Sequence, residues 1–285
     1  MVHVKRPGNA ARTSKRALRR ALVYLGIIAM ALWAVFPFFW MILISLKERI
    51  FTYDPSVWIF TPTFESYISV FTQKSFGKYL LNSGIVAVCA SALALLIGTI
   101  AAYGFSRFKF KRNALFLFIL LSIRMVPSIA IVIPLFILAR IIGVLDTHIL
   151  LIVCYLLFNV PFTVWMMKGF FDDIPRELEE AAQVDGCTGL QSLWRVILPV
   201  AVPGLVATAI FCIISSWNEF VFALFLTSIK SVTTPTIVQT FLSVVGVAWG
   251  EMSAVGTVAT LPVLLFAMIV QKHMIRGLSF GSVKG

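Results

Sequence analysis

Residues 79–106 read YLLNSGIVAVCASALALLIGTIAAYGFS, 28 consecutive positions without an acidic or basic side chain. About 20 apolar residues are enough to cross a bilayer core about 30 Å thick. Working outward, the runs 21–46, 147–167, 196–218 and 252–271 carry no Asp, Glu, Lys or Arg, and in 113–139 Arg124 is the single interruption. The 285 residues are 60% apolar and 13% charged, against about 45–50% and about 25% in soluble globular chains. These runs predict an all-α integral membrane protein with six transmembrane helices, at about 21–46, 79–106, 113–139, 147–167, 196–229 and 252–271. A transmembrane barrel is excluded, because its strands read as alternating segments of about ten residues. The first run exceeds the roughly 7–15 apolar residues of a cleaved signal peptide and reads as a retained signal anchor. The four cysteines (Cys89, Cys154, Cys187, Cys212) show no paired spacing, and the three scattered histidines argue against a zinc site.

The net charge of +12 is distributed for a membrane rather than for nucleic acid. With six crossings, seventeen Lys and Arg fall on the side of the two termini and the loops 107–112 and 168–195, against six on the other side. Basic residues flanking spans are retained in the cytoplasm, so both termini are placed there. Residues 1–20 are then a basic cytoplasmic tail in reach of membrane lipid, 21–271 the spanning domain, and 272–285 a cytoplasmic C-terminal tail.

One cytoplasmic loop departs from its surroundings. Residues 168–195, KGFFDDIPRELEEAAQVDGCTGLQSLWR, hold six of the chain's twelve acidic residues. Pro175 suits the first turn of a helix, and Glu177, Glu179 and Glu180 sit where carboxylates favour the positive end of its dipole. Gly186 supplies a residue able to lie past a helix end. Thr188 and Gln191 have capping-box spacing for a second helix, and Leu190, Leu193, Trp194 and Ile197 recur on one face. The segment therefore predicts a helix–Gly–helix element at the membrane surface, with the small Ala181 and Ala182 between acids on one side and a Leu/Trp stripe on the other. Ordering such an element costs conformational entropy, so it needs a surface to dock against.

Glu180-Ala181-Ala182, Gly186, Val196 and Leu198-Pro199, at these spacings and flanked by Ile174-Pro175, Glu177-Leu178 and Asp185, resemble the EAA motif of bacterial ABC-importer permeases. Val196 stands where isoleucine is usual, a difference of one methylene. The resemblance covers about residues 20–285 and is closest to the carbohydrate branch, maltose/trehalose type, and to the second, shorter permease subunit. It implies that loop 168–199 is a coupling-helix hairpin seated in a cleft of a separate cytoplasmic ATPase. Glu180 would contact a basic residue there, Ala181 and Ala182 would form the close-packing surface, and Asp185-Gly186 would fix the turn. The tail, with Gly277, Gly281 and Lys284, looks like the end that reaches the ATPase in related subunits, and loop 219–251 like the region that meets the solute-binding protein.

The implied partners are a second permease subunit in a heterodimer, two copies of the ATPase, an extracytoplasmic solute-binding protein and membrane lipid, with no nucleic acid. The chain itself binds no cofactor or metal, because ATP and Mg belong to the ATPase. No phosphate-binding G-x-x-x-x-G-K-[ST] loop is present; Gly77-Lys78 is followed by Tyr79. Gly277-Leu278-Ser279-Phe280-Gly281 matches the hydrolase elbow only in letters, since that turn needs a strand before it and a helix after it. The reading is thus a non-enzymatic permease of a bacterial or archaeal plasma membrane that imports a di- or oligosaccharide. Glycerol phosphate or another polyol is the runner-up, and an ion-coupled secondary transporter a more distant alternative.

Three polar residues and a proline near or inside the spans are candidates for the pathway or a gate. Arg124 lies about 15 Å into its span, at a depth where an ion usually faces protein or a watery cavity; Pro127 follows it and can break the helix. Asn218 and Glu219 interrupt residues 196–229, which as one straight helix would run about 51 Å, too long for the membrane without a break or strong tilt. Each of these is open to two readings, a role in the pathway or structural pairing.

Overall fold

The computed structural model describes residues 9–108, 111–243 and 246–280, with side chains placed over 18–108, 111–242 and 246–269. The chain forms two compact units, residues 1–67 with 249–257, and residues 68–248 with 258–285. Helices α1 (Asn9–Ser45), α2 (Glu65–Thr72), α3 (Phe76–Arg107), α4 (Asn113–Met125), α5 (Ser128–Ile141) and α6 (His148–Asp172) make the first half. The second half holds α7 (Glu177–Val184), α8 (Gly189–Ser192), a π turn (Leu193–Ile197), α9 (Leu198–Val200), α10 (Val202–Trp217), α11 (Val221–Leu226), α12 (Thr234–Ile237) and α13 (Trp249–Phe280). Strands β1 (Leu242–Ser243) and β2 (Gly246–Val247) form a two-residue antiparallel ladder, Leu242 opposite Val247.

Among the described residues, four helices are long and apolar enough to cross a membrane: α1, α3, α6 and α13. Two bent pairs raise the number to six when each pair counts as one crossing: α4 with α5, bent by 86°, and the Gly189–Val200 segment with α10, bent by 84°. The first bend falls at Val126–Pro127, where the missing proline N–H and the extended Val126 (ψ 125°) end the helix. The second falls at Ala201, so residues 196–200 lie on the Gly189–Val200 side of the bend and Val202–Trp217 on the other. α13 exceeds the apolar run 252–271 at both ends.

In the second unit α3 and α6 are the central pair. α3 turns a stripe of small residues inward, Ala87, Ala90, Ala94, Gly98 and Ala102, all but Gly98 under 2% exposed. Small residues let backbones approach closely where lipid offers no competing hydrophobic drive. A Cβ on Gly98 would lie 2.6 Å from both Cβ and Cγ2 of Thr163 on α6. Several buried polar groups are paired between helices, where a bilayer offers no other partner. Asn159 of α6 donates to Ser216 Oγ of α10 at 2.7 Å, and Trp165 donates to the Leu117 carbonyl of α4 at 3.2 Å. Leu81, Ile85, Val88 and Leu96 on the other face of α3 remain exposed.

In the first unit α1 is lined with exposed apolar side chains, Trp33 at 82% among them. Lys47 is nearly fully buried there: its Nζ donates to the Asp54 carbonyl at 3.2 Å and lies over the rings of Trp40 and Phe60. The aliphatic stem and cation–π contacts compensate the ammonium. The sequence gives no sign of this inward lysine.

Within the stretch 219–251, expected to be mostly external and uncharged, residues 228–231 fold around one carboxylate. Asp146, in the left-handed conformation at φ 58°, accepts from the backbone N–H groups of Ser228, Ile229, Lys230 and Ser231 at 2.9–3.1 Å, and from the Ser228 and Ser231 hydroxyls. Asn82 of α3 donates to the Lys230 and Val232 carbonyls, and Lys78 to that of Ile229. Burial pushes the Asp146 carboxyl up, but the four backbone donors outweigh it and hold the group well below the usual carboxylate range. A lowered folded value means the stabilisation is complete above a free aspartate's pKa of about 3.9 and is lost only as the pH falls through the lowered value. Loop 227–233 should therefore resist proteolysis equally from about pH 5 to pH 8. Asp146→Asn, which exchanges a charged acceptor for one neutral oxygen, should destabilise it by about 2 kcal/mol, read as faster loop cleavage and a lower Tm in detergent.

Candidate functional site

The acidic hairpin forms at one end of α3, the end opposite Lys78 and Asn82. α7 stops in a Schellman arrangement: Cys187 N–H donates to the Ala182 carbonyl at 2.9 Å and Gly186 N–H to that of Gln183 at 3.0 Å. This geometry requires a left-handed residue, and Gly186 supplies it at φ 87°. Thr188 and Gln191 close the capping box that starts α8, at 3.4 Å and 2.8 Å. The π turn follows: the Leu198 N–H reaches back five residues to the Leu193 carbonyl. That wider turn divides the Leu/Trp stripe. Leu193 and Ile197 are fully buried, whereas Leu190 and Trp194 stay exposed. The single apolar face expected from the spacing is thus two faces, because the i, i+3, i+4, i+7 pattern presumes 3.6 residues per turn.

Glu180, Ala181, Asp185 and Gly186 are exposed along one side of the element, with Pro199 exposed and Leu198 half-buried at its end. Ala182 instead faces inward beside Glu179, and both are under 9% exposed. Glu179 meets the end of α3: Arg107 Nε lies 2.8 Å from its Oε2, and the Tyr103 hydroxyl donates to its Oε1. Ser106 Oγ donates to Asp172 at 2.6 Å, Arg107 Nη2 to the Ile174 carbonyl at 3.1 Å, and Arg176 Nη2 to the Ser106 carbonyl at 3.2 Å. A cavity of about 540 Å³ opens beside this pair, with Glu180, Gln183 and Cys187 on its wall. Sequence reasoning missed Tyr103, Arg107 and Glu179 as a group, since they come from segments more than 70 residues apart. The available signal was the placement of 179 and 182 on one turn-spaced face away from 181.

The second candidate lies where two helices break. Arg124, in the last turn of α4, and Glu219, between α10 and α11, line one cavity of about 180 Å³ with Ser128, Ser215, Phe158 and Phe222. The Arg124 guanidinium sits 4.6 Å from the Phe162 ring centre. Glu219 also starts α11, accepting from Phe222 N–H at 3.0 Å and Ala223 N–H at 3.3 Å. Pro127 makes the break before α5. Asn218 stays out of the cavity, its amide donating to the Ile214 carbonyl at 2.9 Å. The structure thus brings Arg124 and Glu219 together across about 95 residues of sequence, and adds Ser128 and Ser215, which no pattern had singled out. Gly277 lies on the α13 backbone, whereas Gly281 and Lys284 fall outside the described residues.

Residues 94–280 match the model of the binding-protein-dependent transport system inner membrane component family. The chain is 34% identical over 276 residues to the trehalose/maltose transport system permease protein MalG of Thermococcus litoralis, covering 95% of this chain and 99% of that one. It is 36% identical over 256 residues to the trehalose transport system permease protein SugB of Mycobacterium tuberculosis, covering 89% and 93%. Among solved structures, a bacterial ABC transporter involved in the import of the acidic polysaccharide alginate superposes with a TM-score of 0.74 at 24% identity, over 94% of this chain and 99% of that chain. The match to the family model, the full-length relatives and the apolar helices agree, so this multi-pass membrane chain belongs to the inner membrane components of binding-protein-dependent transport systems.

Proposed function

We propose that this chain is one of two permease subunits of an ATP-driven importer for a di- or oligosaccharide, worked by a separate cytoplasmic ATPase through α7 and α8. The observation that carries the reading is the build of the hairpin: a Schellman stop, a capping box and a π turn hold Glu180 and Ala181 outward on a stiff support. A stiff protrusion transmits displacement, whereas a loose loop would absorb it. Sugar as cargo is supported by the trehalose/maltose and trehalose systems of the two relatives. The paired helix breaks support a solute path past Arg124, Ser128, Ser215 and Glu219, whose mixed donors, acceptors and aromatic walls suit a polyhydroxylated ligand. The tail with Gly281 and Lys284 is proposed as a further ATPase contact, and the folded segment after α11 as the face toward an extracytoplasmic solute-binding protein.

The test is reconstitution in proteoliposomes with the companion permease, the ATPase and the binding protein, using trehalose and maltose as probes. Uptake should require ATP and the binding protein together. Solute movement by the purified chain alone, or failure to retain an ATPase, would overturn the reading. Arg124→Met should lower uptake about tenfold, the effect of losing one charged hydrogen-bond donor to the passing solute, with assembly intact. Unchanged uptake by this variant would remove the cavity from the path and leave the ATP-driven mechanism standing.

A further inference from the structure

Two adjacent carboxylates in the hairpin point in opposite directions. Glu180 is exposed, while Glu179 is 8% exposed and is met by two side chains of α3. The Arg107 side chain is itself 6% exposed, so the 2.8 Å contact is a buried charge pair. It is a charge contact more than a directed hydrogen bond, since the Nε–H is not aimed along it. The Tyr103 hydroxyl lies between two acceptors, Glu179 Oε1 on α7 and the Gly189 carbonyl on α8, the latter at 3.1 Å. Its ring packs edge-on to Phe171 at 6.2 Å, which fixes the direction of the hydroxyl. One tyrosine on a membrane-crossing helix therefore holds both arms of the hairpin, and one arginine holds the charge at the base of the first arm.

We propose that Tyr103, Arg107 and Glu179 are positioning residues that clamp the coupling hairpin to the inner end of α3, so that a push received at Glu180 moves α3 instead of bending the hairpin. The inference rests on the ATP-driven importer reading above, and it assigns a division of labour between neighbouring acids: Glu180 toward the partner, Glu179 toward the chain's own membrane helix. A hairpin seated only by apolar contacts could tilt about the Leu193 and Ile197 side chains. The buried pair resists this, because separating it would strand a charge in a low-dielectric setting.

The test uses the full complex in proteoliposomes and compares wild type with Tyr103→Phe, Glu179→Gln and Arg107→Lys. Three readouts are taken: complex assembled, ATP hydrolysed, and maltose or trehalose imported per ATP. Tyr103→Phe removes only a hydroxyl, and it should leave assembly and hydrolysis within about twofold while import per ATP falls about tenfold. Glu179→Gln should fall at least as far, whereas Arg107→Lys, which keeps the charge, should retain most of the wild-type import per ATP. Hydrogen exchange in the assembled complex should rise about tenfold in residues 177–184 for Tyr103→Phe with α6 unchanged, as expected for a locally loosened segment. Wild-type import per ATP in Tyr103→Phe and Glu179→Gln would overturn the clamp. So would a loss of import that only follows the amount of complex assembled, which is the mark of a purely structural contact. A wild-type complex that neither holds an ATPase nor couples would instead defeat the importer reading itself, so the two failures are distinguishable.

Discussion

Gly186→Val should leave ATP hydrolysis running in the reconstituted complex while solute import falls at least tenfold. The reason is conformational rather than steric. A Cβ at Gly186 would meet nothing within 4 Å, so there is room for a side chain. The backbone, however, sits at φ 87°, where a non-glycine residue costs about 1–3 kcal/mol, and a β-branched one lies at the upper end. That strain is relieved by giving up the two terminal bonds of the Schellman turn, from Cys187 to Ala182 and from Gly186 to Gln183. The two arms then swing independently, and the push delivered at Glu180 is dissipated at the joint. Gly186→Asn, the next most tolerant residue in this conformation, should retain several-fold more coupling than valine. Equal coupling in both variants would show that the joint does not carry the load.

The second large effect is expected at the closest helix approach. Gly98→Ala places a methyl carbon 2.6 Å from two carbons of Thr163 and 3.3 Å from the Val160 carbonyl oxygen. One of those carbons is the Thr163 Cβ, which no rotamer change can move. α3 and α6 must separate, at a cost of about 1–3 kcal/mol or more for an overfilled interface. At least fivefold less folded protein in membranes should result, measured by fluorescence-detected size exclusion. Thr163→Gly removes the opposing atoms, so the double variant Gly98→Ala/Thr163→Gly should recover much of the loss. Recovery would locate the damage at this contact, and its absence would show that Gly98 is needed for something other than space.

The two regions differ in how far they could be read from sequence, for physical reasons. The hairpin's caps were legible because they are local: a Schellman stop needs a glycine, a capping box needs Thr188 and Gln191 three apart, and neither depends on distant residues. The spans were legible because a bilayer demands long apolar runs. A break at Pro127 followed from a missing N–H, but its 86° size is not something a local sequence signal specifies. The Arg107–Glu179 pair and the shared cavity of Arg124 and Glu219 join segments separated by about 70–95 residues, and no periodicity reports such meetings. The fold of 227–233 was hidden for the same reason: its organising group is Asp146, on the far side of α6 in sequence. Lys47 was misleading in the opposite sense, a charged residue at the end of an apolar run that turns inward.

The π turn at Leu193–Ile197 accommodates one residue more than an ordinary helical turn there would hold. A single-codon deletion in that stretch would convert it to regular helix and leave the downstream segment close to its present azimuth, because the π turn spreads the extra residue over nearly the same rotation. One-residue deletions should accordingly be better tolerated at these five positions than in the regular helices on either side, and a library of such deletions would reveal this as an island of survivors.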